Sequence, residues 1–180
     1  MLDMDMILQS LIAAGESSLK TKGKTFKGVV GRKILIPKKE YPVIMMNILQ
    51  QHYSDKYLIN YAEFSEKAEV VTNYYPAYDE CVIHINEVYR QDRLQKRLNF
   101  SLAHEFGHLI LQHHRYTTPV GLPPYYEKEA DEFAGQFLMP DFEIALMPSK
   151  WKLLSEFFFV STVAARVRLD KIKSRHFKRK

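Results

Sequence analysis

The sequence predicts an α+β fold: a small mixed or antiparallel sheet packed on two consecutive helices, with further helices toward the C-terminus. Three observations predict it. Short β-rich segments bounded by turns precede residue 90, apolar residues from Leu94 onward recur every three to four positions, and a second helical pattern closed by Pro140 follows a proline-rich connector. At 180 residues and 46% hydrophobic content the chain has the size of one ordinary domain with a sizeable core. With no Gly/Ser-rich or Pro-rich stretch, wholesale disorder and strings of linker-joined modules are excluded.

The elements follow in order. Leu2, Met6, Leu8, Leu11 and Ile12 lie at near-helical spacing, and Gly15 ends that leading helix in a polar, basic connector, so residues 1–24 read as one segment. Residues 25–150 read as the core domain. It opens with β-rich Val29, Val30, Ile34, Leu35 and Ile36 before Pro37, and Pro42 sits where a helix to about Tyr53 would begin. Strands are expected at 57–61, 69–75 and 81–86. Leu94, Leu98, Leu102, Phe106 and Leu109 then define a long helix, with Asp92 as its N-cap and its end near His114. A turn-rich connector from Thr117 to Pro124 separates it from a helix over about 126–138. Residues 151–170 read as a helical extension packing on the core, and 171–180 as a basic tail that frays into solvent.

The net charge of +5 is unevenly spread. Residues 20–39 hold eight Lys or Arg and no acid, and the last ten hold six, whereas 40–170 carry eighteen acids against twelve bases. The body is acidic, which makes direct nucleic-acid binding the weaker reading of the basic total. The single Cys81 allows no intramolecular disulfide and no cysteine metal cluster, and fits a reducing cytoplasm. The acidic start and the short apolar runs at 43–46 and 157–160 argue against export and membrane insertion.

The long helix contains His104-Glu105-Phe106-Gly107-His108. Four residues advance an α-helix by about 400°, so His104 and His108 share a face and can hold one metal between them. Glu105 projects to a neighbouring side, within reach of a water on that metal. In this H-E-x-x-H pattern two neutral imidazoles leave Zn²⁺ needing a third protein ligand. A chain of this composition produces the pattern by chance roughly 0.02 times. Two solvated histidines would also be poorly placed among Leu102, Phe106 and Leu109.

The second helix offers Glu127, Glu129, Asp131 and Glu132 on different faces. Glu127 and Asp131 form an i, i+4 pair on one face. This assigns Glu127 to the metal and Asp131 to a hydrogen bond from the far nitrogen of a ligating histidine, and leaves Glu129 as a solvated helix charge.

At these residues the chain resembles the ImmA/IrrE family of zinc metallopeptidases. The likeness covers about residues 100–140, through Phe100-Ser-Leu-Ala-His-Glu-Phe-Gly-His-Leu and Glu127-Lys-Glu-Ala-Asp-Glu-Phe-Ala-Gly-Gln-Phe-Leu-Met-Pro140. The resemblance implies a zincin-like core, the third ligand at Glu127, its polar companion at Asp131, and a substrate lying along a sheet edge. It also implies a partner: family members are often encoded beside a helix-turn-helix repressor of mobile elements or stress genes, and cut it. The chain departs from the family in lacking a separate N-terminal helix-turn-helix. The closest candidate, Phe159-Val-Ser-Thr-Val-Ala-Ala-Arg-Val-Arg168, reads as a core helix.

Other residues have plainer readings. His113 and His114 read as solvated helix-end histidines favoured by the dipole. His84 reads as an exposed strand residue, Tyr116, Tyr125 and Tyr126 as core or rim packing, and Cys81 as a small buried hydrophobe. The expected activity is that of a soluble Zn²⁺-dependent endopeptidase. His104, His108 and Glu127 hold the ion, Glu105 is the general base, and the open edge of strand 81–86 receives an extended peptide. The alternatives are a non-proteolytic metal-binding regulator that docks a DNA-binding partner, and a hydrolase acting on something other than protein.

Overall fold

The computed structural model describes residues 57–64, 69–116 and 121–177. The expected leading helix, the β-rich segment before Pro37 and the helix after Pro42 lie outside the described residues. Three strands are present: β1 (Tyr57–Ala62), β2 (Val70–Tyr75) and β3 (Glu80–Asn86). Their order is β1-β3-β2, with β3 parallel to β1 and antiparallel to β2. The sheet is therefore mixed. A tight turn at residues 76–79 joins β2 to β3, with Tyr78 N–H donating to Tyr75 O at 3.1 Å and Asp79 taking a left-handed φ of 53°.

This order corrects one expectation. The strand at 81–86 is central and both its edges are paired, so the edges left open among the described strands are the outer sides of β1 and β2, not of β3, and it is β2 that borders the cleft described below. Alternation along β3 fixes the faces. Cys81, Ile83 and Ile85 are buried, while Val82 and His84 are only partly so. Opposite Ile83 stands Thr72 of β2, which places the Thr72 side chain on the covered face.

Against that face lies α1 (Gln95–Ile110), which buries Leu98, Leu102, Phe106 and Leu109 along one stripe. Asp92 does not cap it. A 3₁₀ turn at Asp92–Leu94 precedes the helix, and Leu94 is the capping residue, with no side-chain bond. The helix also stops earlier than the apolar period suggests, at Ile110, because Gln112 turns the chain with a left-handed φ of 59° into a second 3₁₀ turn, His113–Tyr116. α2 (Pro124–Leu138) begins at a proline, where a missing N–H costs nothing. It presents small Ala130 and Ala134 inward, and both are fully buried.

These small residues let α1 and α2 approach closely, and Gly107 marks the closest point. A Cβ there would stand 3.0 Å from Cδ1 of Phe133. Phe133 has little freedom to retreat, because its ring stacks on Phe137 at 5.7 Å and tilts against Phe106 at 6.4 Å.

The remaining chain forms α3 (Asp141–Ala145), α4 (Trp151–Phe158) and α5 (Thr162–Phe177). The stretch 159–168 packs as expected on one side, burying Val160, Ala165 and Arg168, while Val163 and Val167 stay exposed. Helix α5 continues through most of the segment expected to fray. Lys171 and Arg175 approach Glu132 of α2 at 3.8 and 2.6 Å. Buried Arg168 binds the α2–α3 corner from three sides: Nε donates to Met139 O at 3.2 Å, Nη1 to Glu132 at 3.0 Å, and Nη2 to Asp141. No helix among the described residues is long and apolar enough to cross a membrane.

Gly107→Val is expected to destabilise the protein by about 1–3 kcal/mol through overpacking against Phe133. Gly107→Ala should cost less, since alanine recovers up to about 1 kcal/mol of helix propensity. Urea unfolding measures both, and a valine variant as stable as the parent would contradict the close approach.

Candidate metal centre

The site forms where α1 and α2 cross beside β2. His104 and His108, one turn apart on α1, aim their Nε2 atoms at the same point, 2.9 Å from each other. Glu127, in the first turn of α2, brings Oε2 to 3.3 Å from His104 Nε2 and 3.7 Å from His108 Nε2. Two ligands of a tetrahedral ion with bonds of about 2.0–2.1 Å stand roughly 3.3 Å apart, and the three measured separations bracket that value. The donor set, two imidazoles and one carboxylate, is the kind a catalytic zinc uses, so the residues fit the metal.

The far nitrogens are held too. His104 Nδ1 donates to Asp131 Oδ1 at 3.0 Å, the contact the i, i+4 spacing suggested. Glu105 lies beside the three donors, and its Oε2 accepts from the Thr72 hydroxyl at 2.6 Å. An open cleft of about 1180 Å³ reaches Glu105, His108 and Glu127, walled by β2 from Val70 to Tyr75 and by His114, Arg115 and Leu122.

The peptidase M78 family, described as the IrrE N-terminal-like domain, matches residues 58–170. The chain belongs to this family. Among solved structures it is similar to a Mycobacterium tuberculosis transcriptional regulator, at 15% identity and a TM-score of 0.48; the match covers 87% of this chain and 45% of that one. The chain thus spans less than half the length of that structure. None of the curated proteins matches the chain.

Within this domain the surroundings bias His104, Glu105, His108 and Asp131. Burial pushes the His104 pKa down, but the Asp131 hydrogen bond, with Glu105 and Glu127 nearby, carries it above its ordinary value. His108 is lowered to about 4 by burial and by the neighbouring His104 and His113. Burial likewise raises Glu105 above the usual carboxylate range, against the pull of Thr72 and His104. Asp131 is held below its ordinary value by the hydrogen bond from His104.

Three features are not legible in the motif. Thr72 comes from a strand 33 residues earlier than Glu105, and only the pairing register brings it there. His113 is not solvated; it is 2% exposed, with Nδ1 at 3.1 Å from His108 Nδ1. The early end of α1 explains this, because the turn at Gln112 folds His113 back beneath α2. Glu129 is correspondingly drawn inward. Its Oε2 stands 3.3 Å from His113 Nε2, and its Oε1 accepts from the Tyr125 hydroxyl at 2.6 Å. The spacing of five from His108 to His113 was the available signal, but it points off the helix face unless the helix stops. The aromatic residues take packing roles, with Tyr116 stacked on Tyr126 at 5.4 Å and Tyr126 against His113 at 4.7 Å. His84 faces away from this site and meets Asn60 at 2.6 Å across β1 and β3.

The pH dependence of the chelator-treated protein should carry the mark of His108. Unfolded, it takes a proton near 6.5, but in the fold only near about 4, so between these values the unfolded chain binds more protons and stability falls as pH falls. His104 and Glu105, both raised in the fold, add stability as pH falls and so act in the opposite sense to His108, which is isolated by comparison with His108→Gln. Urea unfolding at about pH 7 and about pH 5 should show a larger acid loss in the parent than in the variant. Equal losses would contradict the burial of a neutral imidazole.

Proposed function

We propose that this protein is a cytoplasmic zinc-dependent endopeptidase that cuts a regulatory protein, a helix-turn-helix transcriptional repressor by resemblance to its family. The observation that carries this reading is the position of Glu105. It stands beside a set of three ligands rather than within it, and faces the same open cleft as β2. A purely structural zinc prefers four protein ligands and has no use for an adjacent base, which favours catalysis over a non-proteolytic metal-binding regulator.

His104, His108 and Glu127 would hold the ion. Bound there, zinc supplies Lewis acidity, which makes water acidic enough to ionise near neutral pH and polarises a peptide carbonyl. Glu105 removes a proton from the attacking water and delivers it to the leaving amine. Its burial beside the cleft keeps the carboxylate lightly solvated, which suits it to that task. Thr72 restrains one carboxylate oxygen, and so limits the rotations open to the other. Asp131 keeps the His104 proton on Nδ1, leaving Nε2 free to ligate.

The outer edge of β2 supports a protein substrate. Its N–H and C=O groups border the cleft, and an extended peptide can pair with them where a small molecule cannot. A segment already paired in its own fold cannot do so, which points to a loop or frayed helix end of the partner.

Purified protein is expected to hold one zinc per chain. His104→Ala, His108→Ala and Glu127→Ala should lose it, and Asp131→Ala should bind it about 10- to 100-fold more weakly. Metal analysis with chelator competition checks the series; zinc retained in all three ligand variants would overturn the site. Glu105→Gln should keep zinc and lose at least about 10²-fold in cleavage rate. Co-expression with a neighbouring repressor, followed by mass spectrometry of fragments, supplies the substrate test. An intact repressor in a stable, zinc-dependent complex would favour the docking regulator instead.

A further inference from the structure

The two ligand histidines are supported differently. His104 Nδ1 meets a carboxylate directly, whereas His108 Nδ1 faces another imidazole nitrogen, Nδ1 of His113, at 3.1 Å. Of two nitrogens so placed, one must donate and the other accept. If His108 is to ligate through Nε2, its proton sits on Nδ1, and His108 is the donor. His113 then accepts on Nδ1 and carries its own proton on Nε2, which faces Glu129 Oε2 at 3.3 Å. The other Glu129 oxygen accepts from the Tyr125 hydroxyl at 2.6 Å. Every contact in the series has one consistent direction, and it ends on a charge.

Burial supports the same conclusion. His113 is 2% exposed, and its ring is clamped between His108 at 5.1 Å and Tyr126 at 4.7 Å. A side chain so deeply placed has to satisfy two ring nitrogens, and a water-facing histidine would have no reason to be there. The peptidase chemistry itself makes no use of it.

We propose that His113 and Glu129 are positioning residues that fix the tautomer and ring orientation of His108 through an imidazole–imidazole–carboxylate relay. The relay rests on the reading that His104, His108 and Glu127 hold zinc. It does for His108, through one intervening ring, what Asp131 does for His104 by direct contact, and strengthens the ligand in the same way. Tyr125 holds the terminal carboxylate in line.

The test measures zinc affinity of the full chain by competition with a chromophoric chelator, and reads histidine protonation from nitrogen-15 spectra. His113→Leu should weaken zinc binding by about 10- to 100-fold. His113→Asn places an amide oxygen near the lost Nδ1 but nothing at Nε2, and should bind zinc more tightly than His113→Leu and no more tightly than Glu129→Gln. Glu129→Gln should weaken binding by itself but add little to His113→Leu, since one cut disables the relay. In the zinc-loaded parent, His108 should carry its proton on Nδ1 and His113 on Nε2. Unchanged affinity in His113→Leu and Glu129→Gln, fully additive losses, or a His113 proton on Nδ1 would each overturn the relay. Should His113→Leu fail to fold, Glu129→Gln and the parent spectra decide alone. A parent that takes up no zinc sinks the peptidase reading, whereas one that binds zinc and cleaves, indifferent to His113 and Glu129, sinks only the relay.

Discussion

The site depends on how closely two helices cross. His104 and His108 belong to α1, Glu127 and Asp131 to α2, and no backbone segment shorter than the connector between them ties the pairs together. Their separation is set by Gly107 against Phe133 and by the small inward residues Ala130 and Ala134. Imidazole and carboxylate side chains reach only a few ångströms, so a crossing opened by one methyl group would pull Glu127 away from His104 and His108. Packing at the crossing therefore fixes the geometry of the donors as much as the donors' own rotamers do.

Around that crossing the polar groups are arranged in layers. The side chains of His104, His108 and Glu127 face one another, and behind each histidine stands a hydrogen-bonding group, Asp131 for His104 and His113 for His108. Glu105 is set apart by a different element, held from the sheet by Thr72. Helix, sheet and returning loop thus each contribute one constraint, and the half-buried setting makes each stronger than it would be in water.

The helical period and the H-E-x-x-H spacing carried much of this in the sequence. Residues four apart on a helix share a face whatever the rest of the fold does, so His104 with His108, and Glu127 with Asp131, could be paired without a structure. Strand existence was equally legible from the β-rich segments. Strand order was not: the central place of β3 follows from a parallel pairing with β1 that alternation alone does not encode. The burial of His113 was hidden for a related reason. It turns on the left-handed Gln112, and glutamine announces such a turn far less clearly than glycine does. Glu129 follows from the same turn: a helix charge by its spacing, it meets His113 only because α1 has already ended.

Arg168 gives the assembly of this protein an order in time. All the groups gathered at the crossing are encoded by residue 131, yet the guanidinium that braces the corner after α2 reaches Glu132 from 36 positions further on. During synthesis the emerging chain therefore possesses every donor before it possesses the brace, and Glu132 of α2 and Asp141 of α3 precede the guanidinium that joins them. A nascent chain that has not reached α5 has only the apolar packing of α2 against α1 to hold that helix, without the clamp at the corner beyond it. Synthesis of α5 then adds the clamp on that corner.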